Sequence, residues 1–254
     1  MSKHSPAPKI YLINLDKSKD RLLNCHTILA SQQLSFERIP AVLGDALTTA
    51  QKHQHYSETL NNRNYYRPLS NGEVGCYLSH RAAWQKIADG DAPYGIVLED
   101  DIAINGNMHL AIDTLDTLHM DWQVIKLSAY QSRTRPIVFS QPIGNGFDLV
   151  IHNKPMTGCA ASAITKEAAK KLLAQSTKFG RPVDVDIQHF WESNVEVCSL
   201  MPYPISQDMS YQSTITQRKG KAGKRFWQRK IQQLTTYFLN KRHIAQQVAM
   251  AKKS

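Results

Sequence analysis

Short apolar runs alternate with longer amphipathic segments along most of this 254-residue chain. The run KIYLINL at residues 9–15 precedes SKDRLLNCHTILASQQ, in which apolar positions recur near helical spacing. The same order returns at YGIVLEDDIAI, residues 94–104, followed by an amphipathic stretch at 107–118, and at MTGCAASAIT followed by KEAAKKLLAQS. This alternation predicts an α/β fold with a largely parallel sheet and helices on both faces.

Local signals predict the remaining elements. Ser70 with Glu73 three residues later is a capping-box signature, which predicts a helix from there to near Gly90. A Gly-Asn-Gly turn at 144–146 lies between two β-rich arms, as in a hairpin. FERIPAVLG predicts a second strand that closes on Gly44, WQVIKLS predicts a fourth strand, and the polar residues 45–69 predict a surface segment with short helices.

Composition and cysteine spacing narrow the class of protein. Hydrophobic residues make up 42% of the chain, as in ordinary globular proteins. Four well-separated cysteines without a C-x-x-C pair argue against a zinc knuckle or a dithiol redox motif and predict reduced, mostly buried thiols. The N-terminal segment has no long apolar region, and no stretch approaches the roughly 18 residues of a membrane span. We therefore expect a cytoplasmic protein.

The net charge of +10 is concentrated at the C-terminal end. Residues 209–254 contain no acid and eleven lysines and arginines, so the rest of the chain is close to neutral. Apolar residues recur there at i, i+4, i+7 and i+11, at Trp227, Ile231, Leu234 and Phe238. This pattern predicts a basic amphipathic helix, which would lie on anionic lipid or pack against the body.

Three consecutive acids, Glu99, Asp100 and Asp101, end the apolar strand that begins at Tyr94. Parallel sheets bind ligands at the carboxyl ends of their strands, and adjacent carboxylates repel unless a cation or strong donors hold them. A hard divalent cation such as Mn²⁺ or Mg²⁺ is the simplest partner. The alternative is a solvated strand end whose acids pair with surface lysines. The triplet alone does not separate the two.

Longer motifs make the prediction specific. The chain has neither a P-loop nor a G-x-G-x-x-G after its first strand. The segments YLINLDKSKDRL, LSNGEVGCYLSHRAAWQKI and IVLEDDIAI, in this order and spacing, resemble glycosyltransferase family 25, the bacterial lipooligosaccharide glycosyltransferases; collagen-modifying galactosyltransferases are similar in these motifs. GCAASAITKEAAKKLL, RPVDVDI and ISQDMSYQSTI extend the resemblance over residues 9–216.

The resemblance implies a GT-A fold, a UDP-sugar donor carrying galactose or glucose, a divalent metal such as Mn²⁺, and inversion at the anomeric carbon. It implies that Asp101, assisted by Glu99, ligates the metal that bridges the donor diphosphate, while Asp100 faces the ribose or sugar. It also divides the chain into a GT-A-like catalytic domain, residues 1–217, and a basic helical tail, residues 218–254.

Four further residues are candidates for binding the donor. Asn14 and Arg21 follow the first strand, where a loop can hold uracil, ribose or phosphate. Ser79 and His80 lie in the G-C-x-L-S-H motif, although a histidine on an apolar helix face is also a common core residue.

A base must also accept the proton of the acceptor hydroxyl. Asp184 is our first choice and Asp186 the second, because RPVDVDI resembles the family's segment near the acceptor. The alternative for Asp184 is a helix cap.

The implied acceptor is a lipid-linked saccharide, a lipooligosaccharide at the inner face of the cytoplasmic membrane, with the tail on anionic lipid. Two other functions compete with this one. A nucleotidyltransferase of similar fold would usually have a Gly-rich basic loop after the first strand, which is missing. A non-catalytic nucleic-acid-binding protein would use the basic tail, but the acidic triplet would repel its ligand. We expect no nucleic acid partner.

Overall fold

An eight-stranded sheet lies at the centre of the computed structural model, which describes residues 6–118, 120–130, 134–208 and 226–253. The strands are β1 (Lys9–Asn14), β2 (Glu37–Pro40), β3 (Tyr94–Glu99), β4 (Ile102–Ile104), β5 (Val124–Lys126), β6 (Ile137–Gly144), β7 (Phe147–His152), β8 (Ala161–Thr165), β9 (Val197–Met201) and β10 (Ile205–Gln207). The helices are α1 (Lys19–Ala30), α2 (Thr49–His55), α3 (Glu58–Asn64), α4 (Asn71–Asp89), α5 (Met108–Asp116), α6 (Lys166–Gln175), α7 (Val183–Ile187), α8 (Phe190–Ser193) and α9 (Phe226–Ala251).

The strand order of the large sheet is β2-β1-β3-β8-β5-β9-β7-β6. Strands β1, β2 and β3 pair in parallel, and so do β5 and β9. Strands β7 and β8 run against the other six. Strands β4 and β10 form a separate antiparallel ribbon next to the end of β3. The predicted α/β fold with a mostly parallel sheet and flanking helices is confirmed.

Two elements follow their sequence signals closely. Helix α4 begins after Ser70, which exchanges hydrogen bonds with Glu73 in a full capping box, and it ends at Gly90. Glu73 also binds Arg67 at 2.7 Å, which holds the entry to the helix. The predicted hairpin is the β6–β7 pair, whose Gly-Asn-Gly turn has a positive φ at all three residues. Glycine and asparagine are the residues that adopt this conformation at low cost.

The expectation that the second strand reaches Gly44 is wrong, since β2 ends at Pro40. The chain leaves the sheet there to pack on α4, where the Val42 N–H donates to Ser79 Oγ at 2.8 Å. The contact is too close for side chains: a Cβ on Gly44 would lie 1.7 Å from the Asn71 carbonyl oxygen. A short apolar run can therefore predict a single strand although its second half is a loop that packs against a helix.

The long helix α9 has two different faces. Its body-facing side buries Ile244, and the Gln247 amide donates to Cys198 Sγ at 3.2 Å. The ring of His243 stacks on Trp191 with centroids 5.5 Å apart. The opposite face exposes between 60% and 76% of each residue of the predicted apolar stripe: Trp227, Ile231, Leu234 and Phe238. The predicted domain boundary at residues 217 and 218 lies outside the described residues.

A bilayer crossing needs a helix that is both long and strongly apolar, and none of the helices in the described ranges meets both conditions.

Gly75→Ala should destabilise the protein by about 1–3 kcal/mol or more, as expected for an overpacked contact. Its new Cβ would lie 2.3 Å from the Val42 carbonyl oxygen and 2.7 Å from the Gly44 nitrogen, and backbone atoms cannot rotate away. Gly106→Ala is the matched control, since nothing lies within 4 Å of a Cβ there. Denaturant unfolding of the two variants measures the difference, and equal stabilities would show that α4 and the loop after β2 separate easily.

Candidate active site

The acidic triplet lies at the rim where β3 ends, and its three side chains turn to different elements. Glu99 Oε1 is 2.9 Å from Nε2 of His80 on α4. Asp100 turns toward β1 and α1, and Asp101 Oδ2 accepts a 2.7 Å hydrogen bond from the Gln207 amide at the end of β10. The repulsion expected among adjacent carboxylates is thus reduced by separating them in space.

Asp100 has partners for both of its oxygens. The Asn14 amide donates to Oδ2 at 2.7 Å, and Arg21 makes an ion pair with Oδ1 at 3.1 Å. Arg38 in turn donates to Asn14 Oδ1 at 3.0 Å, which orients the amide. The structure therefore brings together three of the predicted donor-binding residues, Asn14, Arg21 and Asp100. The charge of Asp100 is compensated within the protein.

Asp101 has only part of its hydrogen-bonding capacity used. The residue is 9% exposed, and no described residue donates to its buried Oδ1. Burial, with the nearby charges of Glu99 and Asp100, raises the pKa of this carboxyl to about 6. A buried, under-coordinated carboxylate is costly unless a cation or donor completes it. The oxygens at this rim fit a hard divalent ion.

The residues of the G-C-x-L-S-H motif divide between two sides of α4. Cys76 lies one turn before His80, and the ligand atoms of Cys76, His80 and Glu99 all lie within 4.8 Å of one another. Ser79 faces away from them, because its hydroxyl donates to the Gly75 carbonyl at 2.7 Å and accepts the Val42 N–H. The structure therefore brings His80 to the acidic rim and keeps Ser79 in the contact with the loop after β2.

The two aspartates of RPVDVDI have different surroundings. Helix α7 begins after Pro182, so Asp184 lies inside its first turn and is not the N-cap. Asp184 accepts a 2.9 Å hydrogen bond from the Val185 N–H, and burial raises its pKa. Asp186 accepts from the Tyr77 hydroxyl at 2.5 Å and pairs with Arg181 at 2.7 Å. Both carboxylate oxygens of Asp186 therefore have partners within the protein.

Asp184 and Glu99 face a common space although they are far apart in sequence. Burial, together with the charges of these two carboxylates, raises the pKa of Cys76, Cys159 and Tyr130. A group that responds to both charges must lie near both. The space between β3, α7 and the segment before β8 therefore contains two carboxylates, whose charge is partly offset by Lys126.

Two lysines near this space were not identified from the sequence. Lys126 of β5 is 1% exposed, donates to the Gly158 carbonyl, and its charge opposes the rise in the pKa of Asp184. Burial and the charge of Arg135 lower the pKa of Lys154 to about 8. Lys126 could have been found, because it interrupts the apolar run WQVIKLS as the acids interrupt β3. Lys154 lies in a polar loop and has no such signal.

A sequence profile described as glycosyltransferase family 25 (LPS biosynthesis protein) matches residues 7–187. Procollagen galactosyltransferase 2 from Homo sapiens is 29% identical over 185 residues, which cover 70% of this chain and 29% of that protein. A putative glycosyltransferase from Haemophilus influenzae is 30% identical over 189 residues, 72% of this chain and 62% of that protein. A Bos taurus protein named probable inactive glycosyltransferase 25 family member 3 is 23% identical over 215 residues, 76% of this chain and 36% of that protein.

The chain spans less than a third of the length of the human relative and under two thirds of the Haemophilus influenzae protein. The family profile, in contrast, covers well over half of this chain. Its matched range includes the acidic triplet, all of α4 and both aspartates of α7. The chain belongs to glycosyltransferase family 25.

Proposed function

We propose that this protein is an inverting, metal-dependent glycosyltransferase that moves galactose or glucose from a UDP-sugar to a saccharide acceptor, a lipooligosaccharide. One observation carries the proposal. In a chain of glycosyltransferase family 25, the Oδ1 atom of Asp101 is buried at the rim of the sheet, and no described residue donates a hydrogen bond to it. The choice of a hexose and a lipid-linked acceptor draws on the names of the relatives, procollagen galactosyltransferase and LPS biosynthesis protein.

Asp101 and Glu99 are the residues that would hold a Mn²⁺ or Mg²⁺ ion. When bound, such an ion neutralises the negative charge that develops on the departing diphosphate. His80 serves this role indirectly, because its contact with Glu99 Oε1 orients that carboxylate. Asp100 is already paired with Arg21 and therefore acts as a positioning residue, holding Arg21 and Asn14 beside the donor.

Asp184 acts as the base on the acceptor hydroxyl. Its raised pKa brings it closer to the neutral range in which a carboxylate accepts a proton efficiently. The charge of the neighbouring Lys126 limits that rise. The base belongs to α7, and the cation ligands lie at the last residue of β3 and just after it.

The membrane partner is anionic lipid at the inner face of the cytoplasmic membrane, bound by α9. Its outward face combines the exposed stripe of Ile231, Leu234 and Phe238 with the exposed cations Lys241 and Arg242. No acidic residue occurs in the helix. This charge favours an anionic surface over another protein copy, since two copies of α9 would repel each other.

The direct test of the function is a panel of UDP-sugars, each with and without Mn²⁺, scored for release of UDP and for transfer to saccharide acceptors. We expect release from one UDP-hexose only in the presence of the metal. Pyrophosphate release would indicate a nucleotidyltransferase instead.

Asp101→Asn should lower turnover at least 100-fold and weaken Mn²⁺-dependent UDP binding, because one anionic ligand is lost. Unchanged kinetics in this variant would remove Asp101 from the site.

The same substitution should stabilise the metal-free protein at pH 8 by about 1–3 kcal/mol. Folding raises the pKa of Asp101 from 3.8 to about 6, so the ionised form opposes folding above that pH. The gain should disappear near pH 4, where the carboxyl is protonated in the folded state. Asp16→Asn is the control, since that side chain is 84% exposed and its ion pair contributes little. Thermal melts in chelator at both pH values make the comparison, and a destabilised Asp101→Asn protein at pH 8 would contradict it.

Asp184→Asn and Asp186→Asn should fail in different ways. We expect Asp184→Asn to lower kcat about 100-fold or more with UDP affinity unchanged, because a base contributes in that range. Asp186→Asn should mainly lower the melting temperature, because Arg181 loses a buried partner. Steady-state kinetics and calorimetry on both variants separate the effects. A stable but inactive Asp186→Asn enzyme beside an active Asp184→Asn enzyme would reverse the assignment.

The triple variant Ile231→Gln, Leu234→Gln and Phe238→Gln should lower binding to anionic phospholipid vesicles at least tenfold, because each residue loses apolar burial in the interface. Binding of the unaltered protein should weaken with salt. Leu23→Gln is the matched control, an equally exposed leucine on α1. Vesicle sedimentation measures both proteins. Vesicle binding that survives in the triple variant, with loss of a dimer in analytical ultracentrifugation, would assign the stripe to a second copy instead.

A further inference from the structure

We infer that Cys76, His80 and Glu99 form a second cation site at the active-site rim, which takes a thiophilic ion such as Zn²⁺ and withdraws Glu99 from the oxygen-ligand site. This site shares Glu99 with the proposed Mn²⁺ site but differs from it in ligand type. It combines a sulfur, an imidazole nitrogen and a carboxylate oxygen. The binding itself does not depend on the proposed function, whereas the effect on turnover rests on it.

The geometry of the three side chains is close to that of a bound ion. Cys76 and His80 are four residues apart on α4, so they lie on the same face of the helix, directly opposite the end of β3. His80 Nε2 is 2.9 Å from Glu99 Oε1, and all three ligand atoms lie within 4.8 Å of one another. Ligand atoms around a tetrahedral zinc ion are roughly 3.5 Å apart, given Zn–S and Zn–N bonds of about 2.3 and 2.0 Å. Closing the site therefore requires the ligand atoms to approach one another by at most about 1.3 Å.

The scaffold holds these residues in place. Helix α4 has a full capping box at its start, and Gly75, next to Cys76, is locked against the loop after β2. His80 is 3% exposed, whereas Cys76 and Glu99 are only partly buried, so the site is not fully enclosed by protein. A water or a phosphate oxygen can complete a four-coordinate ion there.

The local charge favours a cation. Glu99 belongs to the site itself, and the carboxylate of Asp184 adds a second negative charge that acts on the Cys76 sulfur. A metal ion replaces the thiol proton, so binding forms one zinc–sulfur bond, releases one proton to solvent and removes the unfavourable negative field at the same time. Sulfur and imidazole donors select Zn²⁺ over Mn²⁺ or Mg²⁺, which prefer oxygen.

Occupancy of this site has a consequence for the proposed reaction. Glu99 cannot ligate zinc through Oε1 and still assist Asp101 with the donor's metal in the same position. A bound zinc ion also adds positive charge beside Asp184, which lowers its basicity. Zn²⁺ should therefore inhibit the Mn²⁺-supported enzyme at concentrations that saturate the sulfur site.

Cobalt(II) titration of the full chain tests the binding directly, because a thiolate–cobalt bond gives a near-ultraviolet charge-transfer band that oxygen-only sites lack. We expect this band in the unaltered protein, its displacement by Zn²⁺, and at least 100-fold weaker cobalt binding without the band in Cys76→Ser. Cys198→Ser is the matched control, a buried cysteine on β9 that is distant from the acidic rim in sequence and accepts a hydrogen bond from Gln247. Its band should be unchanged.

Circular dichroism and melts should show that Cys76→Ser is folded, since serine is smaller than cysteine. His80→Gln provides a second route, because it should weaken cobalt binding while leaving the thiol available. Absence of the band in the unaltered protein, or its persistence in Cys76→Ser, would overturn the site.

The inhibition is measured separately, as UDP release in Mn²⁺ with increasing Zn²⁺. We expect at least tenfold inhibition of the unaltered enzyme and recovery in Cys76→Ser. Cobalt binding without zinc inhibition would overturn the competition for Glu99 but not the site. Lack of UDP release under every condition would count against the proposed function and leave the spectroscopic result standing.

Discussion

Compensation of negative charge at the end of β3 is the constraint around which this structure is built. Three adjacent carboxylates repel one another, and the side chain of each contacts a different partner. Arg21 neutralises Asp100, His80 contacts Glu99, and the Gln207 amide meets one oxygen of Asp101. The elements that supply these partners, α1, α4 and β10, are the ones that enclose the rim. Asp101 keeps one buried oxygen to which no described residue donates, and burial raises the pKa of this carboxyl to about 6.

Much of the fold could be predicted because its signals are local. The capping box of α4 and the Gly-Asn-Gly turn involve residues within four positions of each other, and both were identified correctly. The reversed direction of β8 had no such signal, since an apolar strand reads the same whichever way it runs. The false extension of β2 has the same origin. Val42 and Gly44 resemble strand residues until their contacts with α4, 27 to 37 residues later in the chain, are known.

The candidate site could be predicted in composition but not in arrangement. The acids, His80 and the pair of aspartates on α7 follow from residue type and motif. Which acid receives Arg21, and which aspartate receives Arg181, depends on side-chain directions set by remote packing. Asp184 and Asp186 are two residues apart on a helix, which turns them about 200° from each other. Their different surroundings therefore follow from helix geometry once the start of α7 is known, and the sequence left that start open.

Helix α4 touches both sides of the cleft from neighbouring positions. His80 meets Glu99 at the acidic rim, and Tyr77, three residues earlier, meets Asp186 on the helix that carries Asp184. The two contacts are therefore joined by less than one helical turn of a single rigid element. Any sliding or rotation of α4 would displace both at once. The positions of Glu99 and of the helix that carries Asp184 are consequently coupled through α4.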